Sequence, residues 1–237
     1  MDGFEIGYVT EDGAELGMPL VEAWAVPFEQ SMPVRGYTPR KGQRHLSGLW
    51  WSATTGGHVG FESWLERDHV MLLDFDPVVV GIVSQPFWLR WVDETNERVS
   101  HAPDFFARRA DGSAVVIDCR PVERRKSRDV AKFEATAKAC GLVGWEYRLV
   151  GAPDAIMTAN VRWLAGYRHP RHHLPEVVRA LRRVFASPTP LMVGAAAAGD
   201  PIAVLPVLFH LLWTQEFIAD LSVPLRQDTL VRPAGRR

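Results

Sequence analysis

The sequence predicts a mixed α/β protein: a β-sheet flanked by helices, with a small, mainly helical or winged-helix unit after it. Three observations predict this. Ala114–Cys119 is a continuous apolar run ending in charge, the pattern of a buried central strand. Helical periodicity appears over 61–74 and 128–140. Strand, helix and strand follow one another from 114 to 150, which implies a right-handed crossover between two parallel strands.

Composition bounds the rest. Of 237 residues, 47% are hydrophobic and 23% charged, enough apolar side chain for a substantial core. The net charge is −1, so any contact with nucleic acid must come from local patches. Candidates are the basic runs Arg35–Arg44 (with Tyr37 inside it), Arg120–Arg128 and Arg162–Arg183, and the terminal Arg232, Arg236 and Arg237. Two cysteines, Cys119 and Cys140, make neither a disulfide framework nor a zinc quartet, which suits a reduced, cytoplasmic protein. The start, MDGFEIGYVT, lacks a signal-peptide pattern. Gly199, Asp200 and Pro201 split the apolar stretches Leu191–Ala198 and Ile202–Leu212 below membrane-spanning length, so no membrane partner is expected.

Taken in order, residues 1–54 read as an N-terminal arm, rich in Gly and Pro, with short strands around Phe4–Thr10 and Ala23–Phe28. The helix over 61–74 presents Phe61, Trp64, Leu65 and Leu72 as an apolar stripe, and Pro77 ends helical structure nearby. Glu62 and Glu66, four apart, share a face. Strands follow at Val78–Val83, Phe87–Val92, Val99–Ala107 and Ala114–Cys119, with polar turns that predict antiparallel hairpins. The helix over 128–140 stops at Gly141, Glu146–Val150 is a strand, and Asp154 caps a helix through Tyr167. The core domain is drawn as 55–170. A C-terminal region, 171–237, holds helices at Pro175–Phe185, Val204–Trp213 and Phe217–Leu221 and a strand at Thr229–Val231.

The chemistry concentrates in His101-Ala102-Pro103-Asp104 and Val115-Val116-Ile117-Asp118-Cys119-Arg120. Hairpin pairing would bring Asp104 and Asp118 together. Two carboxylates at the end of a buried strand repel each other unless a cation lies between them. Oxygen ligands of this kind suit Mg²⁺ or Mn²⁺, which also grip phosphate oxygens. Glu66, on the preceding helix, offers a third carboxylate.

These residues resemble the PD…(D/E)-x-K nuclease signature: Pro103-Asp104, then Asp118-Cys119-Arg120. A wider frame is similar to the endonuclease domain of TnsA-like subunits of heteromeric bacterial transposases. It comprises Ser63-Trp64-Leu65-Glu66, Leu72 through Pro77, Ser84-Gln85-Pro86, Asp118 through Pro121 and Asn160 through Leu164. The resemblance covers about residues 45–170. Beyond it, Leu211-Leu212-Trp213 through Asp220-Leu221 and Pro224-Leu225 resembles a small C-terminal module of such proteins. It implies a restriction-endonuclease-like core and an Mg²⁺-dependent deoxyribonuclease cutting the 5′ ends of a mobile element, leaving 3′-hydroxyl and 5′-phosphate ends. A DDE-type transposase and an AAA+ ATPase regulator would be its partners. By position, Glu66, Asp104 and Asp118 match the metal-binding and catalytic acids, and the Cys119 carbonyl a backbone ligand. Glu62 stands one turn from Glu66 and could assist. Arg120 stands where the family has Lys. Arg keeps its proton, so it would clamp phosphate rather than poise a water. That departure leaves open a decayed, DNA- or partner-holding scaffold; a stand-alone restriction or repair nuclease is the other alternative.

Other residues have plain readings. His101 reads as a hydrogen-bonded turn histidine as readily as a phosphate or metal contact, and His69 likewise. His169, His172 and His173 lack further ligand spacing. Cys119 reads as a buried small hydrophobe, and Trp50-Trp51 as packing before base stacking. Gly56-Gly57 and Gly194–Gly199 lack the Lys-Ser/Thr of a phosphate loop, so no nucleotide is expected.

Overall fold

The computed structural model describes residues 3–36, 47–124 and 127–235. The basic positions 37–46, 125–126 and 236–237, counted above as possible DNA contacts, lie outside the described residues. The chain forms two compact units, Met1–Ala152 and Pro153–Arg237.

The first unit runs β1 (Glu5–Val9), β2 (Glu15–Pro19), β3 (Gly48–Trp51), β4 (His58–Phe61), α1 (Trp64–Phe75), β5 (Val79–Ser84), β6 (Trp88–Val92) and β7 (Arg98–His101). It continues with β8 (Phe105–Arg109), β9 (Ala114–Cys119), α2 (Ser127–Leu142) and β10 (Glu146–Val150). One sheet has the order β2-β1-β6-β7, the second β10-β9-β8-β5, and β3 and β4 form a hairpin. The β6–β7 and β8–β9 pairs are antiparallel, as their polar turns predict. β9 and β10 are parallel across α2, as the 114–150 order predicts.

Alternation along β9 sorts its side chains between two cores. Ala114 and Val116 join Phe28, Phe87, Phe106 and Trp145, against the first sheet and α2. Val115, Ile117 and Cys119 join Val70 and Leu73 of α1 and Phe61 of β4. Phe28 makes edge-on contacts with Phe87, Phe106 and Trp145 at centroid distances of 5.0, 5.6 and 5.7 Å. Each such pair contributes roughly 0.5–1.5 kcal/mol beyond area burial. Phe28 lies in the segment expected to be an arm, so residues 3–34 are part of this unit's core rather than an appendage.

Several elements depart from expectation. Ala23–Phe28 is no strand; 3₁₀ turns occupy Leu20–Ala25 and Phe28–Gln30, because Pro19 and Pro27 start each turn at a fixed φ. α1 starts at Trp64, since Phe61 ends β4 and Ser63 caps the helix. Its buried face is Val70, Met71 and Leu73, while Trp64 is 54% exposed with the Arg67 guanidinium 4.3 Å above its ring. Val99–Ala107 is two strands in different sheets, separated by Ala102-Pro103-Asp104. α2 passes Gly141 and ends at Leu142; Gly144, at φ +73°, closes it, with Trp145 N–H bonded to Cys140 O at 3.0 Å.

The second unit holds α3 (Ala155–Ala165), α4 (Pro175–Val184), β11 (Thr189–Pro190), α5 (Leu191–Ala198), α6 (Pro201–Trp213), β12 (Phe217–Ile218) and β13 (Leu230–Pro233). Its sheet order is β11-β13-β12. Phe217–Leu221 was expected as helix, but Gln215, at φ +54°, turns the chain out of α6 into β12. α3 joins this unit, so the units divide at 152/153 rather than at the 170/171 boundary drawn from sequence. Asn160 explains the attachment: its Nδ2 donates to Leu221 O and Val223 O, and its Oδ1 accepts from Leu225 N–H. Gly194 permits close packing in this unit, because a Cβ there would stand 2.1 Å from the Phe185 ring.

Candidate active site

The start of α1 fixes Glu66. Ser63 Oγ accepts from Glu66 N–H at 3.2 Å and donates to Glu66 Oε1 at 2.7 Å. Glu66 Oε2 accepts from Glu62 N–H at 2.6 Å. Ser63 caps the helix, and the Glu66 carboxylate reaches back to the N–H of the residue before the cap. Burial raises the Glu66 carboxyl above its ordinary pKa, against the pull of those hydrogen bonds; the Glu62 charge adds to the rise and Arg35 opposes it.

The β8–β9 hairpin fixes Asp104. Phe105 pairs with Ile117, so the residue before β8 meets the end of β9. Asp104 Oδ2 accepts from Cys119 N–H at 2.6 Å, and Gln85 N–H donates to Asp104 O at 2.9 Å. Burial lifts the Asp104 carboxyl well above the usual range; the charges of Glu66 and then Asp118 lift it further. The sequence-predicted acids therefore act on one another at the end of the central sheet. The Cys119 thiol, buried beside the same acids, is pushed up as well.

Asp118 is held differently. It is 2% exposed and lies on the α2 side of β9, opposite to Cys119. His101 Nε2 stands 2.9 and 3.0 Å from its two oxygens, and Tyr147 O–H donates to Oδ2 at 2.8 Å. His101 ends β7 in the first sheet, edge-on to Phe133. The shared acid thus ties β7, β9 and β10 together. Burial and Asp118 push the Tyr147 hydroxyl up, so it stays a proton donor.

Arg120 Nη2 ion-pairs with Asp129 Oδ2 of α2 at 3.0 Å. A different cation reaches the acids. Arg35 Nη2 stands 2.6 Å from Glu62 Oε2. Buried Gln85, at φ +48°, faces Arg35. In the amide orientation that satisfies both groups, it donates to Arg35 O at 2.8 Å and accepts from Arg35 Nε and Nη2 at 3.3 Å.

His69 and His169 have structural partners. His69 Nε2 lies 2.8 Å from Gly151 O, and burial lowers its pKa, so it donates as a neutral ring. His169 Nδ1 accepts from Arg171 N–H, capping a 3₁₀ turn. Trp50 Nε1 donates to Asp74, a packing role.

Glu66 and Asp104 fit a hard divalent cation by donor chemistry, being half-buried oxygen donors whose neighbouring charges a cation would relieve. Asp118 fits less well, with both oxygens engaged by His101 and Tyr147. Among the described residues, no group of three His, Cys, Asp or Glu is arranged to hold a metal ion. Sequence reasoning missed Tyr147, although its signal was present: in the parallel register with β9, Leu149 pairs with Asp118 and Tyr147 with Val116, two residues before it on the same face. It also gave Arg35 no role beyond its basic run. No protein-family model matches the chain, and no curated protein is detectably similar to it in sequence.

Proposed function

We propose that the chain is a metal-dependent DNA endonuclease, the TnsA-like subunit that cuts the 5′ ends of a mobile element. One observation carries this reading: Asp104 is pinned to Cys119 N–H at the end of β9, and the charge of Glu66, from the start of α1, acts on it and adds to the rise of its carboxyl. The order α1, three antiparallel strands of the second sheet, α2 and parallel β10 supports a restriction-endonuclease-like core.

In this reading Asp104 and Glu66 hold Mg²⁺ or Mn²⁺. A bound cation would lower the pKa of its water and neutralise charge on the phosphodiester. The chain's own residues preorganise the site. Cys119 N–H fixes the Asp104 carboxyl, and Ser63 with Glu62 N–H fixes Glu66. Asp104 gives up its proton on loading, which ties cation affinity to pH. His101 and Tyr147 brace Asp118 behind this pair.

The second unit supports a winged-helix reading by its helices and its sheet order β11-β13-β12. Its α6 carries no Lys or Arg, and Phe209 packs with Trp163 and Tyr167 at centroid distances of 6.0 and 5.0 Å. Such a helix suits an ATPase or transposase partner better than base readout, which needs side chains that hydrogen-bond base edges.

Cleavage of transposon-end duplex, with and without the partner transposase, tests the reading. Activity should require Mg²⁺ or Mn²⁺ and fall at least about 10²-fold in Asp104→Asn. The Arg120–Asp129 pair favours one alternative, a scaffold with a decayed site. Absent cleavage under every condition, with duplex binding equal in Asp104→Asn, would establish that alternative.

A further inference from the structure

We propose that Arg35 is the phosphate-holding cation of the site, pinning the DNA phosphodiester against the Glu66–Asp104 pair. The inference rests on the nuclease reading above. It starts from a vacancy of role: a site that gathers acids and acts on a phosphate needs a positive group beside them. Arg120, the positional match, directs its guanidinium to Asp129 on α2.

Arg35 meets the need by geometry. Two routes tie it to the acids. Through Glu62 it reaches Glu66, since Glu62 bonds Arg35 by its side chain at 2.6 Å and Glu66 by its backbone at 2.6 Å. Through Gln85 it reaches Asp104, since Gln85 faces Arg35 with its amide and bonds Asp104 O by its N–H at 2.9 Å. Val34 N–H donates to Gln85 O at 2.9 Å, which fixes the backbone beside Arg35. The Arg35 charge also acts on both Glu66 and Asp104, lowering each against burial.

The present partner of Arg35 is itself informative. Glu62 puts a carboxylate where an anion would be gripped, and the pair is open, with side chains 43% and 32% exposed. Exposed pairs of this kind are weak. A phosphate diester offers the same planar fork two oxygens and can replace the carboxylate. Glu62 then acts as a placeholder for substrate.

Equilibrium binding of a short fluorescein-labelled duplex tests this, with the full chain and Ca²⁺ in place of Mg²⁺ so that no turnover intervenes. Arg35→Ala should weaken binding and reduce the slope of log Kd against log salt by about 1. Glu62→Gln should tighten binding, because it frees the guanidinium. Arg35→Lys, which keeps the charge, should restore binding in part, and unchanged thermal unfolding of that variant shows that the fold is intact. In Mg²⁺, Arg35→Ala should lose about 10²-fold or more in cleavage rate. Unchanged affinity and salt slope in both Arg35→Ala and Glu62→Gln overturn the proposal, as does a parent chain that binds no duplex. A parent that binds but never cuts overturns the nuclease reading alone, and the binding comparison still decides the role of Arg35.

Discussion

The two ends of α1 carry carboxylates in different surroundings, buried Asp74 at one and half-buried Glu66 at the other. At the C-terminal end, Asp74 accepts from Trp50 Nε1, Ser52 Oγ, Ala53 N–H and Thr54 N–H at 2.7 to 3.1 Å. At the N-terminal end, Glu66 accepts from Ser63 Oγ and Glu62 N–H, and the charges of Glu66 and then Asp118 act on Asp104, which accepts from Cys119 N–H. What separates the two ends is the balance: four donors meet Asp74, whereas fewer donors meet Glu66 and Asp104 and neighbouring acids act on Asp104. Asp74 fastens the β3–β4 turn to the helix; the Glu66–Asp104 end stores repulsion that a ligand can release.

Three substitutions break or sharpen this comparison. The largest effect on stability is expected from Asp74→Ala, which strands four donors; we expect a loss of about 3 kcal/mol or more, read by chemical denaturation. A loss below about 1 kcal/mol would remove the contrast. Asp104→Asn should act in the other direction. The Asp104 carboxyl is raised in the folded state, so the native chain binds the extra proton. Its contribution is therefore most favourable below the ordinary carboxylate pKa and declines as pH rises from there through the raised value. Unfolding midpoints from pH 4 to 8 should fall less steeply in Asp104→Asn than in the parent, and Mg²⁺ should raise the parent midpoint at the alkaline end only. Parallel pH profiles would show that the acids are not coupled. The smallest change is Ser63→Ala, worth about 1 kcal/mol as a lost helix cap, with a matching loss of cleavage because Glu66 loses one of its fixed oxygens. Loss of stability with full activity would separate the cap from the site.

Much of the first unit is readable from pattern. β9, α2 and β10 follow from one buried apolar run, one periodic helix and their order, and the two hairpins from polar turns. The failures have local causes. Val99–Ala107 reads as one strand because alternation does not say which sheet a residue joins; Pro103, which lacks an N–H, marks the break. The arm's apolar residues look sparse until Phe28 is seen among Phe87, Phe106 and Trp145. The site divides in the same way. The meeting of Asp104 with the end of β9 is legible through the hairpin. Arg35 is not, since its partner Glu62 lies 27 positions away and Gln85 reaches it through an unusual backbone turn. His101 looks like a turn residue because its acid belongs to another sheet.

That last contact has a mechanical consequence. Between His101 and Phe105 the chain passes from the first sheet to the second in three residues, and His101, still in the first sheet, holds Asp118 of the second. The link is three residues long, and the imidazole joins the two sheets through Asp118. Amide deuterium uptake in the Trp88–His101 hairpin and in Phe105–Arg109 should consequently report one shared opening event, and lengthening the Ala102–Asp104 link should split it into two.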